Sequence, residues 1–163
     1  MDFVFGDSWL RVTVMALTLA GLVFTWTNER KSVERANRLH RTGDLPQASA
    51  VYQNRIDSDS LRLDLRYNLG TSLLGLGSTR AEEELTRGVE SNDDQVTKLA
   101  LYNLGVSRLL RAVSAENVDS MIIHARASVQ ANRNTLRLSP DQANAKWNLS
   151  MAQRLLDSID AAN

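Results

Sequence analysis

The chain has 163 residues, with 19 basic and 19 acidic side chains, no cysteine, two prolines and eight glycines. Balanced charge offers nucleic acid no basic patch, and the missing cysteines exclude disulfides, thiolate zinc sites and a cysteine nucleophile together. Few prolines, and no alternating Val/Ile/Thr runs beyond residue 30, leave nearly the whole chain free to be helical.

The first predicted element is apolar. Residues 12–26 form a run softened by Thr13, Thr18 and Thr25. Taken from 9 to 27 it is 19 residues, enough to cross a bilayer core of ~30 Å as a helix. Phe3, Phe5 and Trp9 precede it, and Phe24 and Trp26 close it. Aromatic rings at both ends of such a run suit the two membrane interfaces, so Trp9, Phe24 and Trp26 are the expected interface residues. A cleaved signal peptide fits less well. Asp2 and Asp7 offset the positive charge before the run, and Phe24-Thr25-Trp26-Thr27 is not a small-x-small cleavage site. The alternative is a buried N-terminal core helix. Only Arg11 stands before the run, whereas Arg30, Lys31, Arg35, Arg38 and Arg41 follow it. The positive-inside rule then gives a single-pass protein of the inner (cytoplasmic) membrane with its helical domain in the cytoplasm, the periplasmic side being the alternative. The span has no histidine to ligate haem or chlorophyll, and no cofactor is expected. Thr13, Ala16, Thr18, Ala20 and Gly21 offer small surfaces to another helix, or face only lipid. The expected division is residues 1–28, tail and transmembrane anchor, and 29–163, a helical domain.

Within that domain a phrase recurs. Tyr67-Asn68-Leu69-Gly70 returns as Tyr102-Asn103-Leu104-Gly105 and as Trp147-Asn148-Leu149-Ser150, 35 residues (67 to 102) and then 45 residues (102 to 147) later. A period in this range signals stacked supersecondary units. The small residues are spaced regularly as well. Ala36 precedes Gly43 by seven, with Ala48 and Tyr52 beyond; Gly70 precedes Gly77 by seven, with Ala81, Leu85 and Gly88 beyond. Small residues let paired helices approach, and the large one fills the space beside them. Glycine between them supplies the positive φ that ends the first helix. Gly43-Asp44-Leu45-Pro46 is such a turn, with Asp44 the expected N-cap. No turn follows Gly105 at the expected place. Residues 112–117 continue instead, and a long helix is expected from 118 or 119 to about 138, with Met121, Ile122, Ala125, Val129, Leu136 and Leu138 as its apolar set. Such an insertion marks a binding face or is plain linker drift. Ser139-Pro140-Asp141-Gln142 reads as a capping box opening the last helix at Ser139. Trp147, Leu149, Ala152 and Leu155 are its expected apolar face, and Lys146, Gln153 and Arg154 its outer, solvating side.

These spacings resemble the tetratricopeptide repeat (TPR), a helix-turn-helix unit of 34 residues. The resemblance runs over roughly residues 29–157. Arg55 stands where the family carries a small residue. It implies an all-α fold: a transmembrane helix, then a TPR-like right-handed helical-hairpin solenoid of about three repeats with a capping helix. It also implies a concave face lined by the first helices (A helices) that takes a protein segment. Asn68, Asn103 and Asn148, with Tyr67, Tyr102 and Trp147, are the expected partner-binding residues, since amides can hold a partner's backbone. The same asparagines serve equally well to bind neighbouring repeats. The family's carboxylate-clamping subclass is not indicated, because only Asn37 and Asn68 match it, while Val33, Leu99 and Asn103 replace its basic residues. His40 and His124 are expected in packing or surface roles, and Glu82-Glu83-Glu84 as an acidic run suited to a helix start. No phosphate loop or nucleophile motif is present, so no enzyme is expected. The expected function is a membrane-anchored scaffold, an accessory or assembly subunit of a larger membrane complex such as a photosynthetic or respiratory one. Residues 98–105 and 145–149 are also similar to repeats of bacterial aerotolerance (Bat) operon proteins, which implies the alternative: an envelope stress adaptor binding clients or an ATPase. Fold alone does not choose between them.

Overall fold

The computed structural model describes residues 4–162, with side chains from Trp9 onward. The outer aromatics Phe3 and Phe5 lie outside those described side chains. Seven helices follow one another: α1 (Val4–Arg41), α2 (Leu45–Ser58), α3 (Leu63–Gly75), α4 (Ala81–Gly88), α5 (Asp94–Val113), α6 (Val118–Leu138) and α7 (Ala143–Asp160). No strand occurs among the described residues.

α1 joins two roles in one 38-residue helix. All side chains from Trp9 to Trp26 are exposed. One helix among those described is long and apolar enough to cross a membrane, and it is this one. Its threonines suit such a setting. Thr13 Oγ1 donates to the Trp9 carbonyl at 2.8 Å, Thr18 to Met15 at 2.8 Å and Thr25 to Leu22 at 2.9 Å. Each hydroxyl is thus satisfied within the helix, as a lipid-facing polar group must be. No glycine or proline interrupts residues 27–41. The helix therefore passes residue 28 unbroken, and its second half packs on α2.

The hairpin grammar then repeats. Asp44 accepts from the Gln47 amide at 3.3 Å and caps α2. Gly43 and Gly77 take φ values of +84° and +68°, which end α1 and α3. Ala36, Ala48, Tyr52, Leu65, Leu69 and Ala81 form one buried cluster, and Leu85, Leu104 and Ala131 a second. Arg55, at the family's small position, is accommodated half-buried against α1, where its Nε donates to Ser32 Oγ at 3.0 Å.

Three expectations need correction. Ser139 does not cap α7. It closes α6, its amide donating to Thr135 O at 2.8 Å, and 139–142 form a tight turn, Gln142 N to Ser139 O at 3.2 Å. α7 starts at Ala143 with Gln142 as an N-cap that makes no side-chain bond. Secondly, α6 buries a polar strip rather than only its aliphatics. Ser128, Asn132 and Thr135 are fully buried, whereas Leu138 is exposed. Small polar groups fit because α5 approaches closely at Gly105: Ser128 Oγ donates across to Gly105 O at 2.9 Å, while Asn132 Nδ2 to Ser128 O at 2.9 Å and Thr135 Oγ1 to Ala131 O at 3.0 Å are bonds within α6, with Asn132 Oδ1 left unpaired. Thirdly, the buried side of α7 is Ala145, Asn148, Ala152 and Ile159; Trp147 is 61% exposed.

Candidate partner-binding surface

The A helices stand in a row, α3 against α5 and α5 against α7. The recurring phrase places Tyr67, Asn68, Tyr102, Asn103, Trp147 and Asn148 along this row, but the three copies meet different surroundings.

At the α1–α3 end lies a polar cleft of about 250 Å³, lined by Asn37, His40, Arg41, Tyr52, Tyr67 and Asn68. Tyr52 Oη donates to Asn37 Oδ1 at 2.6 Å. Burial pushes the Tyr52 phenol up to about 12, against the pull of Arg41 and with a small push from Tyr67. His40 Nδ1 lies 2.9 Å from Ser72 Oγ, whose own proton goes to Asn68 O at 3.0 Å. The His40–Ser72 contact ties repeat one to repeat two. His124, on α6, is half-buried. Both histidines have packing positions.

In the middle, Asn103 is engaged within the molecule. Its Nδ2 donates to Thr71 Oγ1 at 2.9 Å, and Thr71 Oγ1 donates to Tyr67 O at 2.8 Å. Tyr102 is half-buried beside it and lines neither of the two end clefts.

At the α5–α7 end the row turns apolar. A cleft of about 390 Å³ is lined by Val106, Leu109, Leu110 and Val113 of α5 and by Trp147, Met151 and Leu155 of α7, with Asn148 in its wall and Arg154 at its edge. Asn148 is 6% exposed, and its Nδ2 has no hydrogen-bond partner. A buried donor left unpaired costs about 1–3 kcal/mol. Arg154 forms no ion pair among the described residues.

The acidic run serves the joints between helices. Glu84 is buried and pairs with buried Arg66 at 2.9 Å. Glu82 accepts from Arg108 at 2.9 Å and Arg111 at 2.7 Å, linking α4 to α5. Burial alone would raise the Glu82 carboxyl, but the bonds and charges of the two arginines outweigh it and hold the group below the usual carboxylate range. Sequence spacing explained these acids by the helix dipole alone. Glu83 pairs with Arg87 four residues on, a local pattern, but the arginines that tie Glu82 and Glu84 to other helices lie 18 to 29 residues away.

Hairpins of this grammar, stacked with their A helices in a row, define a TPR-like helical-repeat protein. No family model matches the chain, and no curated protein matches it. Among solved structures it is similar to the NMR structure of the first TPR domain of the human RPAP3 protein, at 18% identity and a TM-score of 0.64, covering 83% of this chain and 97% of that one. The fold is that of a TPR domain.

Proposed function

We propose that this protein is a membrane-anchored scaffold that holds a partner polypeptide on the A-helix face of its repeats, as an accessory or assembly subunit of a membrane protein complex. α1 carries this reading: one unbroken helix is apolar and fully exposed in its first half and a repeat helix in its second. The α5–α7 cleft supports the choice of partner. Its lining is almost wholly apolar, with Asn148 the one amide in its wall, which suits the apolar side chains of a protein segment. Arg154 at the edge suits a carboxylate on the same segment. Helical-hairpin repeats offer such elongated faces to protein segments.

The test is a mild-detergent pull-down of the full-length chain beside one lacking residues 1–28 and beside Trp147→Ala. A fixed set of membrane proteins in constant ratio, lost in the truncation and depleted by Trp147→Ala, is the expected result. Variable soluble clients recovered equally by all three forms would replace the subunit reading with that of a stress or quality-control adaptor.

A further inference from the structure

α2 runs antiparallel to α1. Tyr52 meets Asn37, and Arg55, about one turn later, meets Ser32 at 3.0 Å and Glu29 at 4.0 Å. α2 then continues three more residues to Ser58, ~4.5 Å of helix rise. The α2–α3 loop therefore comes down to the height of Trp26. Arg62, in that loop, lines one cleft with Trp26 and Glu29 of α1. The neighbouring Leu61 is 84% exposed, more than any other large apolar side chain described.

A single exposed leucine ordinarily needs no explanation. This one stands level with the aromatic ring that closes the apolar run, next to Arg30, whose guanidinium lies 5.7 Å from the centre of the Trp26 ring. The loop is also held in shape. The Leu61 amide donates to Asp59 Oδ1 at 3.1 Å, and Arg62 forms two 2.9 Å bonds with Asp64. That pairing neutralises Arg62 with Asp64, while the Asp59 carboxylate is held by the Leu61 amide. The next loop on the same edge, between α4 and α5, carries Glu90 and Asp93 and no exposed large apolar side chain. Of these two loops only the one nearest the apolar run has an apolar tip; on the same edge the end of α6 exposes Leu138 at 53%.

We propose that Leu61 and the α2–α3 loop dip into the surface of the same bilayer that α1 crosses, giving the repeat domain a second membrane contact that sets its tilt. This rests on α1 being a membrane span. Such a contact would fix the direction in which the A-helix face looks, and a single helix free to rotate in lipid would not.

The chain has no cysteine, so single cysteines can be labelled cleanly in the full-length protein. An environment-sensitive dye is placed on Leu61→Cys, Phe24→Cys or Thr79→Cys, in nanodiscs containing lipid with a nitroxide on its headgroup. The expected result is quenching and a blue-shifted emission at positions 61 and 24, with neither at position 79 in the α3–α4 turn. To remove the dye's own affinity from the comparison, the same dye on Ser60→Cys should lose its quenching when Leu61→Asp is added. If position 61 behaves like position 79 while position 24 is quenched, α1 spans and the second contact is wrong. If position 24 is also unquenched, the span itself is wrong and the proposal falls with it.

Discussion

A methyl group at residue 70 has no room. A Cβ there would sit 2.7 Å from Leu85 Cγ and 2.9 Å from the Leu85 backbone nitrogen, so the α3–α4 contact itself must open. Alanine favours a helix over glycine by about 1 kcal/mol. Overpacking a rigid contact costs about 1–3 kcal/mol. Gly70→Ala should therefore lower the melting temperature, whereas Gly21→Ala, with nothing within 4 Å of its new Cβ, should leave the repeat domain's melting unchanged. Thermal unfolding followed by circular dichroism separates the two. Asn148 should respond in the opposite sense. Its buried Nδ2 is unsatisfied, so Asn148→Leu, with the same heavy-atom branching and no polar atom, should raise stability by about 1–2 kcal/mol. If the amide exists for a partner, the same variant should weaken partner capture. A loss of stability would show that Asn148 is part of the internal packing instead.

At the scale of the element, α1 makes the mechanical statement. Thirty-eight helical residues extend ~57 Å, with no hinge residue from 27 to 41. The first repeat should therefore hold a fixed attitude to the apolar segment. Spin labels on cysteines at Ala20 and Thr79 should give one narrow distance distribution in lipid. Four glycines inserted after Asn28 should broaden it while leaving the melting of the repeats unchanged. A distribution already broad without the insertion would deny the rigid coupling. Much of this level was legible in the sequence. The glycine turns, the Asp44 cap and the long α6 follow from spacing, because helix ends and helix–helix contacts depend on small residues at fixed offsets. The start of α7 was misread because Ser-Pro-Asp-Gln suits a tight turn as well as a capping box. The inner face of α6 was misread because serine, asparagine and threonine look like surface residues until a close neighbour and a local carbonyl receive them. Nor did the recurrence of Asn68, Asn103 and Asn148 in the same phrase disclose that one would line a polar cleft, one would bond Thr71 and one would be left unpaired. Those differences come from residues on other helices.

For the whole molecule, stability is close to a sum over neighbouring repeats, and the weakest joint decides how it comes apart. α4, with eight residues, is the shortest helix. Its charged link to α5 is Glu82 with Arg108 and Arg111. The Glu82 carboxyl is held below its unfolded value of ~4.3. Its contribution is therefore fully present above that value and is lost as pH falls through the lower, folded one. The pair is partly solvated, so we expect only ~1 kcal/mol from it at neutral pH. The buried Arg66–Glu84 pair holds α4 to α3, where no such exposure weakens it. Acid should accordingly loosen the α4–α5 joint as Glu82 is protonated. Hydrogen exchange read helix by helix should show α5 losing protection as pH falls through the range in which Glu82 is protonated, and Glu82→Gln should produce that loosening already at pH 7 while flattening the acid limb of the stability curve. Simultaneous loss across all helices, unchanged by Glu82→Gln, would mean that apolar packing alone joins the repeats. If the joint does open in acid, the apolar α5–α7 cleft detaches from the half of the molecule that α1 carries, and partner capture should fall with pH in step with the exchange at α5.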